Sequence, residues 1–263
     1  MQVVKGTNYV MKKTNVKIRS GRFAGLIGQK YHRLLKAIPG IIHIEKLMAQ
    51  STLPVLSAKK ASRGVILDLG CGTGMTTLAL CEKVKNVVII GIDSEPTMLK
   101  QYVANMKEHH LMLRAKNIQI QSLEVDILDY VIFQKESSID LVVSGYTLHN
   151  LPREQRQQIL NNVGRILCKS GRFINGDKIA RDNDRLHERD ITEQLEAFIK
   201  AYNHGDDISY GLEWIRHYIR DDQPDLKCTE AEVFQSLRQA GFAQVKIIGR
   251  RRMDAVVVAD RSQ

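Results

Sequence analysis

The stretch Leu67-Asp68-Leu69-Gly70-Cys71-Gly72-Thr73-Gly74 constrains this chain more than any other. It completes Arg63 to Leu69, a short apolar run of the kind that is buried on both faces of a parallel sheet, and it precedes Thr76 to Val84, which reads as helix. Glycines at 70, 72 and 74, where a strand becomes a helix, let the backbone turn tightly and bring a ligand against main-chain N–H groups at the helix start. The spacing is neither the dinucleotide fingerprint G-x-G-x-x-G nor a phosphate loop ending in Gly-Lys-Ser/Thr. Such a turn also serves structure alone, so the surrounding pattern has to decide.

That pattern alternates. Val87 to Asp93 repeats the buried-strand run, Asn117 to Val125 is a weaker strand, and Ser138 to Ser144 and Gly171 to Ile179 supply a fourth and a fifth. Between them Pro96 to His109 and Arg153 to Cys168 read as helices, the second with Ile159, Leu160, Val163, Ile166 and Leu167 on one face. Alternation of this kind implies an α/β fold with a mostly parallel sheet covered by helices. The chain end departs from it. Thr229 to Ala240 has a Thr N-cap, a Glu at the third helical position and a stop at Gly241. The runs Phe242 to Ile248 and Met253 to Ala259 are then joined by a link too short for a parallel crossover, so they pair antiparallel. Roughly 48 residues, 180–227, exceed what a simple connection needs and read as an inserted helical cap with a polar break at Asn203 to Ser209. Tyr31 to Leu56 carries an amphipathic helical pattern interrupted at Pro39-Gly40, within a helical lid spanning 23–62. The sheet domain itself runs over 63–263.

Two more features lie at strand ends. Asp93 ends the second strand, 23 residues past Gly70, where a carboxylate can accept both hydroxyls of a ribose or cap the helix that follows, or both. Asp126-Ile127 follows the third strand, pairing a carboxylate for an amino group with an apolar side chain for a flat ring. Together the three strand ends describe one crevice for an adenosine-like ligand.

With these residues in place, the chain resembles the class I S-adenosylmethionine-dependent methyltransferases, from Arg63 to Ala259, through the ordered set LDLGCGTG, VVIIGID, EVDILD, IDLVVSGYTLHNLP, SGRFING and QAGF with its hairpin. The resemblance implies a Rossmann-like seven-stranded sheet in the order 3-2-1-4-5-7-6 and S-adenosyl-L-methionine as cofactor. It also implies site residues. Gly70, Cys71 and Gly72 would line the methionyl part, Asp93 would hold the ribose with Ser94 and Met98 beside it, Asp126 and Ile127 would hold the adenine, and Ser144 would close the pocket. Val125 stands where the family often has Gly. The lid with Tyr31 and Ile38-Pro39-Gly40 resembles that of the small-molecule branch, where a Tyr at this place often reaches the cofactor; the alternative is an aromatic anchor on a helix.

A sulfonium is already an activated methyl donor, so the protein has to hold a nucleophile in line, exclude water and, for hydroxyl or ammonium acceptors, remove a proton. Candidates beside the methyl are Tyr31, Tyr146, His149 and Asp177; His149 also suits a purely structural start to the next helix. Trp214, Arg216 and His217 in the cap are candidates for a substrate pocket. Ser144-Gly145-Tyr146-Thr147 is not the Asn/Asp-Pro-Pro-Tyr/Phe loop of many nucleic-acid and protein amine methyltransferases, and no Pro-Cys pair exists for a covalent pyrimidine mechanism. Methyl transfer to an O, N or C atom of a small metabolite is therefore the expected reaction. Two alternatives accompany it. Ile38-Pro39-Gly40 and Ala201 to Arg216 resemble carboxy-S-adenosylmethionine synthase, which modifies the cofactor for tRNA and places an Arg near it, Arg216 being the nearest match. The other is RNA binding or RNA methylation.

The RNA alternative rests on charge. Of the net +10, nine Lys or Arg and no Asp or Glu fall between Met1 and Ile44, so the rest of the chain is nearly neutral. A basic arm over 1–22 suits nucleic acid, a phosphate-bearing surface or simple solvation. The four cysteines have no C-x-x-C spacing and no His ladder, so neither a metal site nor a disulfide framework is expected. With no spanning apolar run, the expectation is a cytoplasmic protein, a homodimer being possible.

Overall fold

The computed structural model describes residues 23, 25–57, 63–205 and 207–262, so the basic arm over 1–22 lies outside the described residues. Seven strands form one sheet: β1 (Gly64–Leu69), β2 (Val87–Asp93), β3 (Ile118–Glu124), β4 (Ile139–Gly145), β5 (Leu167–Lys178), β6 (Phe242–Arg251) and β7 (Asp254–Arg261). Their order is β3-β2-β1-β4-β5-β7-β6. The first five run parallel, and β7 is antiparallel to both β5 and β6, as the short hairpin link requires. Strands are added to one side of β1 up to β3 and to the other side from β4, so the order switches between β1 and β4, and the crevice that opens there lies at the carboxyl ends of the strands.

Helices cover both faces. Ahead of β1 come α1 (Leu26–Gln29), a 3-10 turn Tyr31–Lys36, α2 (Gly40–Ser51) and α3 (Leu53–Ser57). The crossovers carry α4 (Met75–Lys83), α5 (Pro96–Glu108), α6 (His110–Ala115), α7 (Ile127–Phe133) and α8 (Arg153–Ile166). The insertion carries α9 (Asp184–Ala201) and α10 (Asp207–Arg220), and α11 (Glu230–Gln239) leads into the hairpin. At α11 the expected capping box forms: Glu232 N–H donates to Thr229 Oγ1 and Thr229 N–H to Glu232 Oε2, at 3.3 and 3.0 Å. The residues read as one face of α8 are all buried.

Two boundaries differ from expectation for local reasons. Leu167 does not end α8; it opens β5 opposite Ile139, ahead of a kink at Ser170, which has φ 64°. The break in the cap is shorter than Asn203 to Ser209, because α10 already starts at Asp207, whose carboxylate pairs with Arg33 of the lid.

The lid docks on two surfaces at once. Ile44 and Met48 of α2 pack on the sheet beside Ile66, Val143 and Ile174. Ile27, Leu34, Ile38 and Ile41 pack instead with Phe198, Tyr202, Tyr210, Trp214 and Tyr218 of the cap. Lid and cap thus share one core above the strand tips, joined further by Tyr202 and Tyr210 hydroxyls that donate to the carbonyls of Arg33 and Lys30.

Candidate active site

The glycine turn has the backbone expected of a ligand cradle. Gly70, Gly72 and Gly74 have φ of 64°, 52° and 90°, a region that side chains disfavour. Their surroundings differ. A Cβ on Gly70 would overlap the Thr147 side chain and one on Gly74 would press on Tyr102 and Met106, whereas one on Gly72 would meet nothing closer than the Met98 methyl at 3.4 Å and the Gly70 carbonyl oxygen at 3.9 Å. Gly72 is thus the glycine with open space before it. Cys71 is buried, its N–H on the Ile92 carbonyl at 2.9 Å, and Thr147 Oγ1 donates to the Gly70 carbonyl at 3.1 Å.

Asp93 spans the turn and its own helix entry. Its Oδ2 accepts from Gly72 N–H at 2.9 Å and its Oδ1 from Glu95 N–H at 2.8 Å, while burial pushes its carboxyl above the usual range against those two bonds. Asp126 caps α7, accepting from Leu128 and Asp129 N–H, and burial raises its carboxyl as well. Ile127 and Met98 are buried beside these carboxylates and Ser94 is exposed.

Deeper in the crevice stand groups that sequence reasoning missed. Glu45 of α2 is buried; Thr76 Oγ1 donates to its Oε1 at 3.1 Å, and its Oε2 has no hydrogen-bond partner. Asp68 of β1 repeats the arrangement, with Thr77 Oγ1 donating to Oδ2 at 2.6 Å and Oδ1 unpartnered. Burial, with Asp68 beside Glu45 and Asp93 beside Asp68 adding to it, lifts Glu45 to about 8 and Asp68 to about 7. Ser144 Oγ and the Tyr146 hydroxyl are likewise buried without partners. Tyr146 has φ 52° and donates its N–H to the Gly176 carbonyl, and burial holds both its phenol and that of Tyr31 well above the ordinary range. Tyr31 packs against Trp214 with ring centroids 5.9 Å apart.

The remaining candidates converge beneath the cap. His149 Nδ1 meets Asp177 Oδ1 at 2.5 Å, and the second Asp177 oxygen accepts from His149 N–H. His149 Nε2 turns towards Asp221 Oδ2, 3.6 Å away, and Asp221 also faces His217 Nε2 at 3.9 Å and Lys178 Nζ at 3.6 Å. Lys178 donates to the Tyr218 carbonyl at 2.7 Å. Burial lowers Lys178 to about 8 and raises Asp254 to about 7. Of the three cap candidates, Trp214 and His217 meet edge to face with ring centroids 5.1 Å apart and turn inward, while Arg216 is exposed. The sequence signal for Asp221 was its i, i+4 spacing from His217 on α10.

The chain matches known proteins over much of its length. The family profile described as a methyltransferase domain matches residues 66–171. A carboxy-S-adenosyl-L-methionine synthase from Nautilia profundicola is 24% identical over 74% of this chain and 76% of its own length. A protein of the same description from Trichodesmium erythraeum is 30% identical over 69% of this chain and 66% of its own. Among solved structures, a putative S-adenosyl-L-methionine-dependent methyltransferase from Methanococcus maripaludis, 18% identical, shares the fold over 98% of both chains with a TM-score of 0.57. No helix of the described residues is long and apolar enough to cross a membrane.

Proposed function

We propose, on the premise that this chain belongs to the class I S-adenosylmethionine-dependent methyltransferases, that it binds S-adenosylmethionine across the tips of β1 to β3 and passes the methyl group to an O, N or C atom of a small molecule enclosed by lid and cap. The observation that carries this reading is the cradle itself, with an open backbone at Gly72 tied by one hydrogen bond to the Asp93 carboxylate. Asp93 would take the ribose hydroxyls, and Asp126 with Ile127 the adenine. Glu45 and Asp68 favour a positive group at the methionyl end, since each buries a carboxylate oxygen with nothing to bind it. The cofactor's ammonium answers that need.

Transfer then rests chiefly on position. Tyr31 and Tyr146, both kept as neutral phenols by burial, bound the acceptor side as hydrogen-bond donors and exclude water. Lid and cap share one aromatic core, so closure over an acceptor moves them together.

A second reading has its own support in the carboxy-S-adenosyl-L-methionine synthases among the relatives. It asks for a guanidinium at the cofactor's extra carboxylate, and Arg216 is turned to solvent while the two ionisable carboxyl groups left with an unpartnered oxygen in the crevice, Glu45 and Asp68, are acidic. The test is mass spectrometry of the molecule retained through purification, combined with calorimetric titration of S-adenosylmethionine. Binding of the unmodified cofactor, with methyl transfer to an added small acceptor, supports the first reading. A retained cofactor heavier by a carboxyl group in place of hydrogen moves the assignment to the second, and no binding of either removes both.

A further inference from the structure

The buried cluster under the cap is rich in acid. Asp177, Asp221 and Asp254 are all buried there, and Lys178 is the one ammonium buried with them among the described residues. Buried carboxylates are costly unless positive charge or a metal ion stands against them, so the side chains that face them matter.

The side chains that meet Asp221 are suited to bind a metal ion. His149 Nε2, His217 Nε2 and Asp221 Oδ2 lie within 4.8 Å of one another, with two of the separations at 3.6 and 3.9 Å. Donors about 2.0–2.2 Å from one metal ion sit roughly 3–3.5 Å apart, so closing the set needs shifts of about an ångström or less. His217 in the last turn of α10 and Asp221 just past its end are spaced i, i+4, Asp221 N–H bonding the His217 carbonyl, and the third ligand comes from the turn after β4. The second contact of His149 is the decisive one. Its Nδ1 is fixed on the Asp177 carboxylate at 2.5 Å, the orientation by which a carboxylate holds a ligating imidazole and presents its other nitrogen. A small cavity bounded by Lys178, Ala180, Cys228 and Met253 adjoins His149 and Asp221, two of the three donors, with space for about one water-sized ligand.

We infer that His149, His217 and Asp221 form a binding site for a divalent first-row transition-metal ion, with Asp177 as the positioning residue for His149. Two imidazoles and one carboxylate with an open coordination position suit Zn²⁺, Co²⁺ or Fe²⁺ rather than Mg²⁺ or Ca²⁺, which prefer all-oxygen shells. Lys178 competes for the same Asp221 oxygen, so it tempers affinity. The site stands apart from the methyl-transfer reading, because neither the cofactor nor turnover enters its test.

Full-length protein stripped with a chelator is titrated with Zn²⁺ by calorimetry and with Co²⁺ by visible absorption, whose ligand-field bands report low-symmetry nitrogen and oxygen coordination. One equivalent per chain is expected. His217→Ala, at a partly exposed position, removes stoichiometric binding while circular dichroism stays as in the wild type. Asp177→Asn keeps all three ligands and weakens binding about 10–100-fold. Lys178→Met tightens it, since a competing cation is gone. Melting of the wild type with and without Zn²⁺ gives a readout that needs no variant, and a rise in midpoint is expected. The inference fails if the wild type takes up neither ion stoichiometrically, or if His217→Ala binds as the wild type does. A proton on His149, detected by NMR as a persistent imidazolium in metal-free and metal-treated protein alike, would be the competing way to satisfy these carboxylates and would overturn it.

Discussion

The Asp93 carboxylate accepts the main-chain N–H of Gly72 through one oxygen and that of Glu95 through the other, tying the glycine turn after β1 to the tip of β2. One side chain therefore orders the cradle before any ligand arrives. Asp93→Ala deletes the order and the ribose acceptor together, and hydrogen bonds to charged groups contribute about 1.5–3 kcal/mol each. S-adenosylmethionine affinity is expected to fall about 10–100-fold by calorimetry with the sheet intact by circular dichroism. Unaltered affinity would remove Asp93 from the site.

The glycines separate stability from binding. Gly70→Ala drives a methyl into Thr147 at a left-handed backbone position, so its loss appears in the folded state, about 1–3 kcal/mol by denaturant titration. Gly72→Ala carries a similar backbone penalty but meets nothing closer than the Met98 methyl, so the added group stands in the cofactor's space. The expected pattern is a larger loss of cofactor affinity for Gly72→Ala at equal or smaller loss of stability. Equal affinities in two folded variants would contradict the cradle.

Glu45 gives a pH signature. Its carboxyl rises from the ordinary 4.5 to about 8 on folding, mainly by burial, so the folded state holds the proton more tightly than the unfolded chain. The stability this group contributes is complete below about pH 4.5 and is lost as pH climbs towards 8. Glu45→Gln should flatten that decline in denaturant titrations of the apoprotein by a few kcal/mol. Saturating S-adenosylmethionine should flatten it in the wild type too, because an ammonium against Glu45 stabilises the charged form. A Glu45→Gln profile parallel to the wild type would rule out the shifted carboxyl.

Legibility followed the distance over which packing had to act. That Gly72, Asp93 and Asp126 lie side by side was readable because each sits at or just past the carboxyl end of a strand, and strand order places those ends together once crossovers are right-handed. Glu45 was not: it follows a long basic segment and adjoins Lys46, the look of a solvated helix, and only docking of α2 on Thr76 buries it. The cap shows the same limit from another side. Helix α10 carries two apolar stripes, Tyr210, Trp214 and Tyr218 turned inward and Ile208, Leu212 and Ile219 exposed, and hydrophobic period alone does not choose between them. His217 and Asp221 join the inward groups and Arg216 the outward ones, so the choice of stripe decided which cap residues reach the site. The absence of cysteine spacing likewise said nothing of a cluster whose donors are His149, His217 and Asp221, drawn together from two separate parts of the chain.

Tyr146 offers the sharpest division between folding and function. Its hydroxyl is buried with no hydrogen-bond partner, so in the free protein it costs desolvation and returns nothing. Tyr146→Phe should leave the melting temperature of the apoprotein unchanged or raised. If the hydroxyl donates to the acceptor during transfer, the same variant loses kcat with little change in cofactor affinity, because the cradle at Gly70, Gly72 and Asp93 is untouched. A variant that is less stable than the wild type would show that the hydroxyl has a partner in the free protein. One that turns over normally would confine Tyr146 to shaping the wall of the crevice.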